Sequence, residues 1–207
     1  MKRWLALVAA LAAWPSAAGA EGWRGGGSLA LDLRGWQLEP DAGDRTRAVT
    51  AGPRVRAVGG KHALGLAAGI DLQLGVTGDG HFAHQVAVLP LGAGLQLGRS
   101  ARIGAAGGVG VSGITGGVQP VDLALPVEAF AEVSLGDHVR AAAWGRTAAV
   151  ADDHQRELGL TLRWDRRRAE WSYVAGNGYH LGAFWGERAG AELVGVIVGY
   201  SLDAAGG

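Results

Sequence analysis

The chain contains no cysteine, which excludes disulfides, thiolate metal sites and a lipid-modified cysteine at a processing site. Lysine is nearly missing too: beyond Lys2 there is only Lys61. Soluble domains solvate their surfaces with mixed lysine and carboxylate side chains, and that material is scarce here. No apolar run approaches the roughly 20 residues that a helix needs to cross a bilayer, so any insertion of the body of the chain has to use strands. Charge of one sign is not in excess either. Without Lys2 and Arg3, 17 basic residues face 19 acidic ones, which leaves no basic field for nucleic acid. No Pro-rich, Ser-rich or single-charge linker divides the 207 residues, so one domain is expected.

At the N-terminus, Lys2 and Arg3 precede the apolar run Trp4 to Trp14, Pro15 ends it, and Ala18-Gly19-Ala20 offers a small-residue cleavage site. This is the order of a secretory signal peptide, expected over 1–20, with a mature domain over 21–207.

The pattern that dominates the rest is alternation. In the run Ala63 to Leu74, Leu64, Leu66, Ala68, Ile70, Leu72 and Leu74 alternate with Gly65, Ala67, Gly69, Asp71 and Gln73. Successive side chains of a strand point to opposite faces, so one face is apolar and the other small or polar. Ser28 to Leu38 sets Leu29, Leu31 and Leu33 against Asp32, Arg34 and Trp36. Val121 to Leu135 opposes a Val/Leu/Ala row to Asp122, Glu128, Glu132 and Ser134. Gln155 to Trp164 opposes Leu158, Leu160, Leu162 and Trp164 to Glu157, Thr161 and Arg163. Further strands are predicted over Thr50 to Val58, His81 to Leu97, Arg102 to Ile114, Val139 to Ala149, Ala169 to Gly176 and Ala191 to Leu202. In the fourth strand the apolar parity changes near Leu89-Pro90, which predicts a bulge because proline donates no ladder bond. Short turns at Gly59 to Lys61, Gly98 to Ala101, Gly136 to His138 and Asp165 to Arg168 alternate with longer segments, the last of them Asn177 to Gly190. Ten strands are predicted, within a range of eight to twelve. Asn177-Gly178 is itself a strong hairpin signal, and Tyr179 to Gly190 is read as the far side of a long hairpin loop.

The polar faces carry isolated charges of both signs: Asp32, Arg34, Arg54, Arg56, Asp71, Glu128, Glu132, Arg140, Arg146, Glu157 and Arg163. An arginine or lysine on a lipid face near the bilayer midplane costs on the order of 2 to 4 kcal/mol, and the Leu and Val faces carry no charge. A closed barrel with these charges inside satisfies every backbone group, as strands in hydrocarbon require. The expected fold is therefore an all-β, antiparallel up-and-down transmembrane β-barrel with a charged lumen network. Trp36, Phe82, Trp164, Trp171, Tyr173 and Tyr200 are candidates for interfacial girdles, with a place inside the lumen equally open to Trp36 and to Trp144.

Over 21–207 this pattern resembles the bacterial small outer-membrane β-barrel proteins, as a class and not one family. The resemblance implies a cell outer-membrane location in a Gram-negative envelope, with outer-membrane lipid around the chain and the barrel-assembly machinery as a partner. Gly195, Val198 and Tyr200 fit the spacing of the C-terminal assembly signal, although Leu193 and the tail Asp203 to Gly207 depart from it. Porin-like passage of a small solute also belongs to the class.

No constellation demands chemistry. His81 and His84, three apart in a strand, point to opposite faces and make a poor metal pair. Asp152-Asp153-His154 invites an omptin-like reading, and Ser134 with His138 a lipid A deacylase-like one, but neither has the surrounding motif. Glu128 and Glu132 share a face, a pairing that could suggest acid and base roles, yet pairing with Arg140 or Arg146 on the neighbouring strand is the ordinary role of such carboxylates. The run Gly104 to Gly117 lacks the residues of a phosphate loop. The expectation is a non-enzymatic barrel without cofactor or metal, its lumen largely filled, serving structure, envelope interaction or narrow solute passage. The alternatives are a barrel enzyme acting on lipid or peptide and a soluble lipocalin-like ligand-binding barrel.

Overall fold

The computed structural model describes residues 24–41, 44–60, 64–97, 100–116, 122–150, 153–166, 174–188 and 190–205. The segment read as a signal peptide, Lys61 and His62, Asp152, Trp171 and Tyr173 lie outside them. Ten strands follow one another: β1 (Arg24–Pro40), β2 (Thr46–Gly60), β3 (Leu64–Thr77), β4 (Phe82–Leu97), β5 (Ala101–Thr115), β6 (Asp122–Ser134), β7 (Val139–Val150), β8 (Asp153–Asp165), β9 (Val174–Arg188) and β10 (Ala191–Ala205). Each pairs antiparallel with its sequence neighbour, and β1 closes on β10 from Gly26↔Ala205 to Pro40↔Ala191. Closure removes both sheet edges, so the strands satisfy one another's N–H and C=O groups around the ring.

The faces divide as the alternation predicts. Leu66 (62% exposed) and Leu123 (68%) stand outward among a belt that includes Leu31, Leu33, Val76, Leu125, Leu158, Leu181 and Val196, whereas Asp32, Arg34, Asp71, Glu128 and Glu157 are buried inside. An outward surface so rich in bare aliphatic side chains exceeds what a soluble monomer presents to water and is suited to hydrocarbon.

The parity slip in β4 is a bulge. Val88 pairs with Val109 but Leu91 with Gly107, so β4 carries one extra residue around Pro90. The same extra residue displaces the register against β3. As a result Leu89 points inward, and Leu91, 78% exposed, points outward.

Two expectations need correction. The ninth strand is not Ala169 to Gly176 followed by a hairpin loop; β9 runs on through Asn177-Gly178 to Arg188 and pairs along its length with β8 and β10. Gly178 serves close approach and not a turn: a Cβ there would lie 1.9 Å from the Trp164 carbonyl oxygen. Connection lengths also fail to alternate. They cover 61–63, 98–100, 135–138 and 166–173 at the end where β1 begins and β10 stops, here the terminal end, and 41–45, 78–81, 116–121, 151–152 and 189–190 at the opposite end, here the loop end. The strand count survives because the ninth strand is displaced along the chain and not lost.

Aromatic side chains mark the outer wall in two places. Trp164, Tyr179 and Tyr200 are neighbours across β8, β9 and β10 towards the terminal end, with Tyr179 and Tyr200 edge to face at 5.2 Å. Trp185 and Phe82 are exposed nearer the loop end. Trp36 and Trp144 turn inward and are buried.

If the aliphatic belt meets hydrocarbon, the cost of an outward arginine depends on depth. Leu160→Arg, in the middle of β8, is expected to lower the stability of the vesicle-folded protein by about 2 to 4 kcal/mol, and Leu202→Arg near the end of β10 by about 0 to 1 kcal/mol. Urea titration of the two variants reads the difference. Equal small losses would mean that the wall faces water.

Candidate functional site

The lumen holds the polar side chains that the outer face excludes, and it holds them in two ion-pair clusters. The central cluster is built on Asp71 of β3. Its carboxylate accepts from Arg34 of β1 at 3.0 Å and from Arg146 of β7 at 2.7 Å, which ties three separate walls together. Arg34 also pairs with Asp32 at 3.2 Å, and Arg54 with Asp32 at 3.3 Å. Glu128 of β6 accepts from Arg146 at 2.5 Å and from Arg56 of β2 at 2.6 Å. A fixed planar fork lets one arginine serve two carboxylates, which lysine does poorly; the near absence of lysine finds its structural counterpart here.

Aromatic plates separate these charges. The Arg54 guanidinium lies 4.6 Å from the centre of the Trp144 ring, and Arg56 lies 5.2 Å from the same ring and 5.4 Å from Phe130. Such stacking adds a cation–π attraction and fills volume. The Trp144 indole N–H points at Glu157 Oε1 at 3.4 Å. Space for this indole comes from Gly159 on β8, where a Cβ would sit 2.0 Å from a ring carbon.

The second cluster lies at the terminal end. Arg102 pairs with Glu132, and Asp203 gathers Arg102 at 3.4 Å, Arg140 at 2.5 Å and Arg163 at 2.7 Å. Arg163 also reaches Asp165 at 2.5 Å, and Ser28 donates to Glu132 at 3.1 Å.

With Glu157, which stands 3.8 Å from both Arg34 and Arg188, all eleven charges singled out in the sequence enter ion pairs within the barrel. Their partners differ in part from the expected ones: Glu128 does pair with Arg146, but Glu132 pairs with Arg102 of β5, and Arg140 turns to Asp203. Arg102, Asp203, Asp165, Arg188 and His180 were not singled out. Arg102 sits next to a predicted turn, Asp165 within one and Asp203 in the tail beyond the last predicted strand, and His180 and Arg188 lie in the stretch read as a hairpin loop. The inward parity of Gly178, His180, Gly182, Phe184, Gly186 and Arg188 was the signal that could have found them. Val198 and Tyr200 stand on the outer row of β10, while Gly195 faces inward, where a Cβ would meet the Phe184 ring at 2.3 Å.

One arrangement has the form of a catalytic relay. Ser201 Oγ lies 2.7 Å from His180 Nδ1, and His180 Nε2 lies 3.0 Å from Asp32 Oδ1. All three are buried, and Asp32 is already committed to two arginines. Ser201 lines neither of the two loop-end cavities. Ser134 shares the inward parity of Glu132 and is not on the lipid face that a deacylase-like site would need, and His138 and His154 are exposed at opposite ends of the barrel.

Open space in the lumen is found towards the loop end. Two adjoining cavities of about 10 Å³ each share Gln85, Arg188 and Leu193; one reaches Arg34, Trp36 and Gln73, the other Arg146, Gln155 and Glu157. Each has room for about one water molecule. The lumen is packed.

No family model matches the chain, and no curated protein matches it. Among solved structures it is similar to the NanC porin, at 9% identity with 83% of this chain and 98% of that one covered and a TM-score of 0.44. It is also similar to the translocator domain of the autotransporter NalP from Neisseria meningitidis, at 10% identity, 96% and 95% coverage and a TM-score of 0.41. Ail, the attachment invasion locus protein of Yersinia pestis, follows at 7% identity, 86% and 98% coverage and a TM-score of 0.38. The membrane character of this barrel rests on its own two surfaces.

Asp71 is the keystone of the central cluster. Asp71→Ala leaves Arg34 and Arg146 buried with reduced compensation, and unfolding of the vesicle-folded protein is expected to become easier by about 3 to 5 kcal/mol. Asp79→Ala, at an exposed turn, should change it by less than about 0.5 kcal/mol. A loss at Asp71 no larger than at Asp79 would show that the ion pairs do not hold the walls together.

Proposed function

We propose that the protein is a non-enzymatic β-barrel of the outer membrane whose lumen is closed by its own ion pairs, and that its role in the envelope is structural. The observation that carries this reading is the packed interior: across the middle of the barrel, Asp71 joins β3 to β1 and β7, while Trp144 and the stacked Arg54 and Arg56 occupy the space between. A ten-stranded barrel is only modestly wider than an eight-stranded one, whose interior side chains just fill. Desolvated charge pairs that are each satisfied on both sides resist separation, because breaking one partner strands the other in a medium of low dielectric.

Short connections at the loop end support the same reading. The segments 41–45, 78–81, 116–121, 151–152 and 189–190 offer little chain for gripping a large partner outside the membrane. Outer-membrane lipid along the aliphatic belt is the partner this surface suits best. Val198 and Tyr200, on the outer row of the last strand, with Gly195 between inward neighbours, are read as the signal that the barrel-assembly machinery would receive. Narrow passage of a small solute is the second reading, and the arginine-lined cavities at the loop end are the feature that favours it.

Planar-bilayer recording of the refolded protein separates the two. The wild-type barrel is expected to be silent, and Arg54→Ala/Trp144→Ala, which removes the stacked pair from the middle of the lumen, to give stable ohmic steps. Steady steps from the wild type would replace the closed barrel with a conduit.

A further inference from the structure

The two charge clusters are not equally balanced. At the terminal end, Arg102, Arg140 and Arg163 face Glu132, Asp165 and Asp203, three against three. In the central and loop-end cluster, the buried cations Arg34, Arg54, Arg56, Arg146 and Arg188 face only Asp32, Asp71, Glu128 and Glu157 among the described residues. One positive charge is left over, and burial of an uncompensated charge is strongly unfavourable.

The surplus can be located. Arg34, Arg54, Arg56 and Arg146 each have a carboxylate oxygen within 3.3 Å. Arg188 has none so close: its carboxylate contact is Glu157 at 3.8 Å, as far as Glu157 stands from Arg34. Arg188 instead donates to the neutral Gln85 Oε1 at 2.9 Å and lies 5.6 Å from the Trp36 ring centre. Both loop-end cavities open beside this guanidinium. Arg34 Nε and Arg146 Nη1, one on a residue lining each cavity, are buried donors without a hydrogen-bond partner. Arg156 and Glu187, which also line the second cavity, are exposed at the rim, oppose each other in sign and pair across β8 and β9.

We propose that the first of these cavities binds one small monatomic anion, such as chloride, beside Arg188 and Arg34. The second cavity is lined by Glu157 and Glu187 as well as by arginines, whereas the first is lined by Arg34 and Arg188 and by no carboxylate, so it is in the first that the field favours an anion. A volume of about 10 Å³ admits a particle the size of water, which suits a halide and excludes phosphate or a carboxylic acid. The bound anion would complete the charge balance of the central cluster.

Two measurements test it on the refolded full-length chain. Crystals grown in sodium bromide are expected to show an anomalous peak inside the barrel beside Arg188. Bromide confined to the outer surface, or water alone at that position, would overturn the proposal. In detergent at constant ionic strength, replacing gluconate by chloride should raise the heat-unfolding midpoint by several degrees and then saturate. In Arg188→Gln, which removes the surplus charge, that response should vanish. An equal rise in the variant, or no chloride dependence in the wild type, would count against the site. Should the variant not refold, the bromide position in the wild-type crystal decides alone.

Discussion

An arginine inside a narrow barrel has no water to retreat to, and this barrel carries eight of them among its described, paired lumen residues. Each must therefore find its carboxylates on other walls of the same ring. Asp71 answers to Arg34 and Arg146, Glu128 to Arg56 and Arg146, and Asp203 to three arginines at once. The closed sheet fixes where these side chains can meet, and their pairing in turn fills the space that the closed sheet encloses. Neither half is stable without the other: an unpaired charge inside is costly, and a void would forfeit packing on its lining.

The outer surface follows from the same constraint. With the charges spent inward, strand alternation leaves leucine and valine as the outward row, and glycine or alanine where an inward ring needs room, as Gly159 gives to Trp144. That exchange was legible in the sequence for β1, β3, β6 and β8, where Leu31, Leu66, Leu123 and Leu160 mark one face without interruption. The bulge at Pro90 was legible too, since proline cannot donate to the ladder and an extra residue beside it shifts the apolar parity by one. The ninth strand was not. Asn-Gly is a strong local turn signal, but across Asn177-Gly178 the hydrogen bonds to both neighbouring strands outweigh it, and the glycine answers the close approach of Trp164. Contact partners were beyond reach because alternation gives the face of a residue but not the depth at which two distant strands align. Arg56 and Glu128 are separated by 72 residues.

A lumen filled by ion pairs in this way makes residual imbalance informative. Among the described residues, Arg188 is the one central arginine whose carboxylate stands off, and the loop-end cavities lie beside it. The Ser201–His180–Asp32 relay, by contrast, extends the hydrogen bonding of Asp32 to β9 and β10 and lines neither loop-end cavity. Proximity of the right residue types makes chemistry only where a substrate can enter.

The membrane assignment depends on the aliphatic row meeting hydrocarbon. Because the chain has no cysteine, single cysteines can be placed at the outward positions Leu123, Leu125, Val127, Ala129, Ala131 and Val133 of β6 and spin-labelled in vesicles. These labels are expected to be reached by oxygen and not by a water-soluble nickel complex, with oxygen access greatest near the middle of the strand. Ready collision with the nickel complex along the whole row would contradict the assignment.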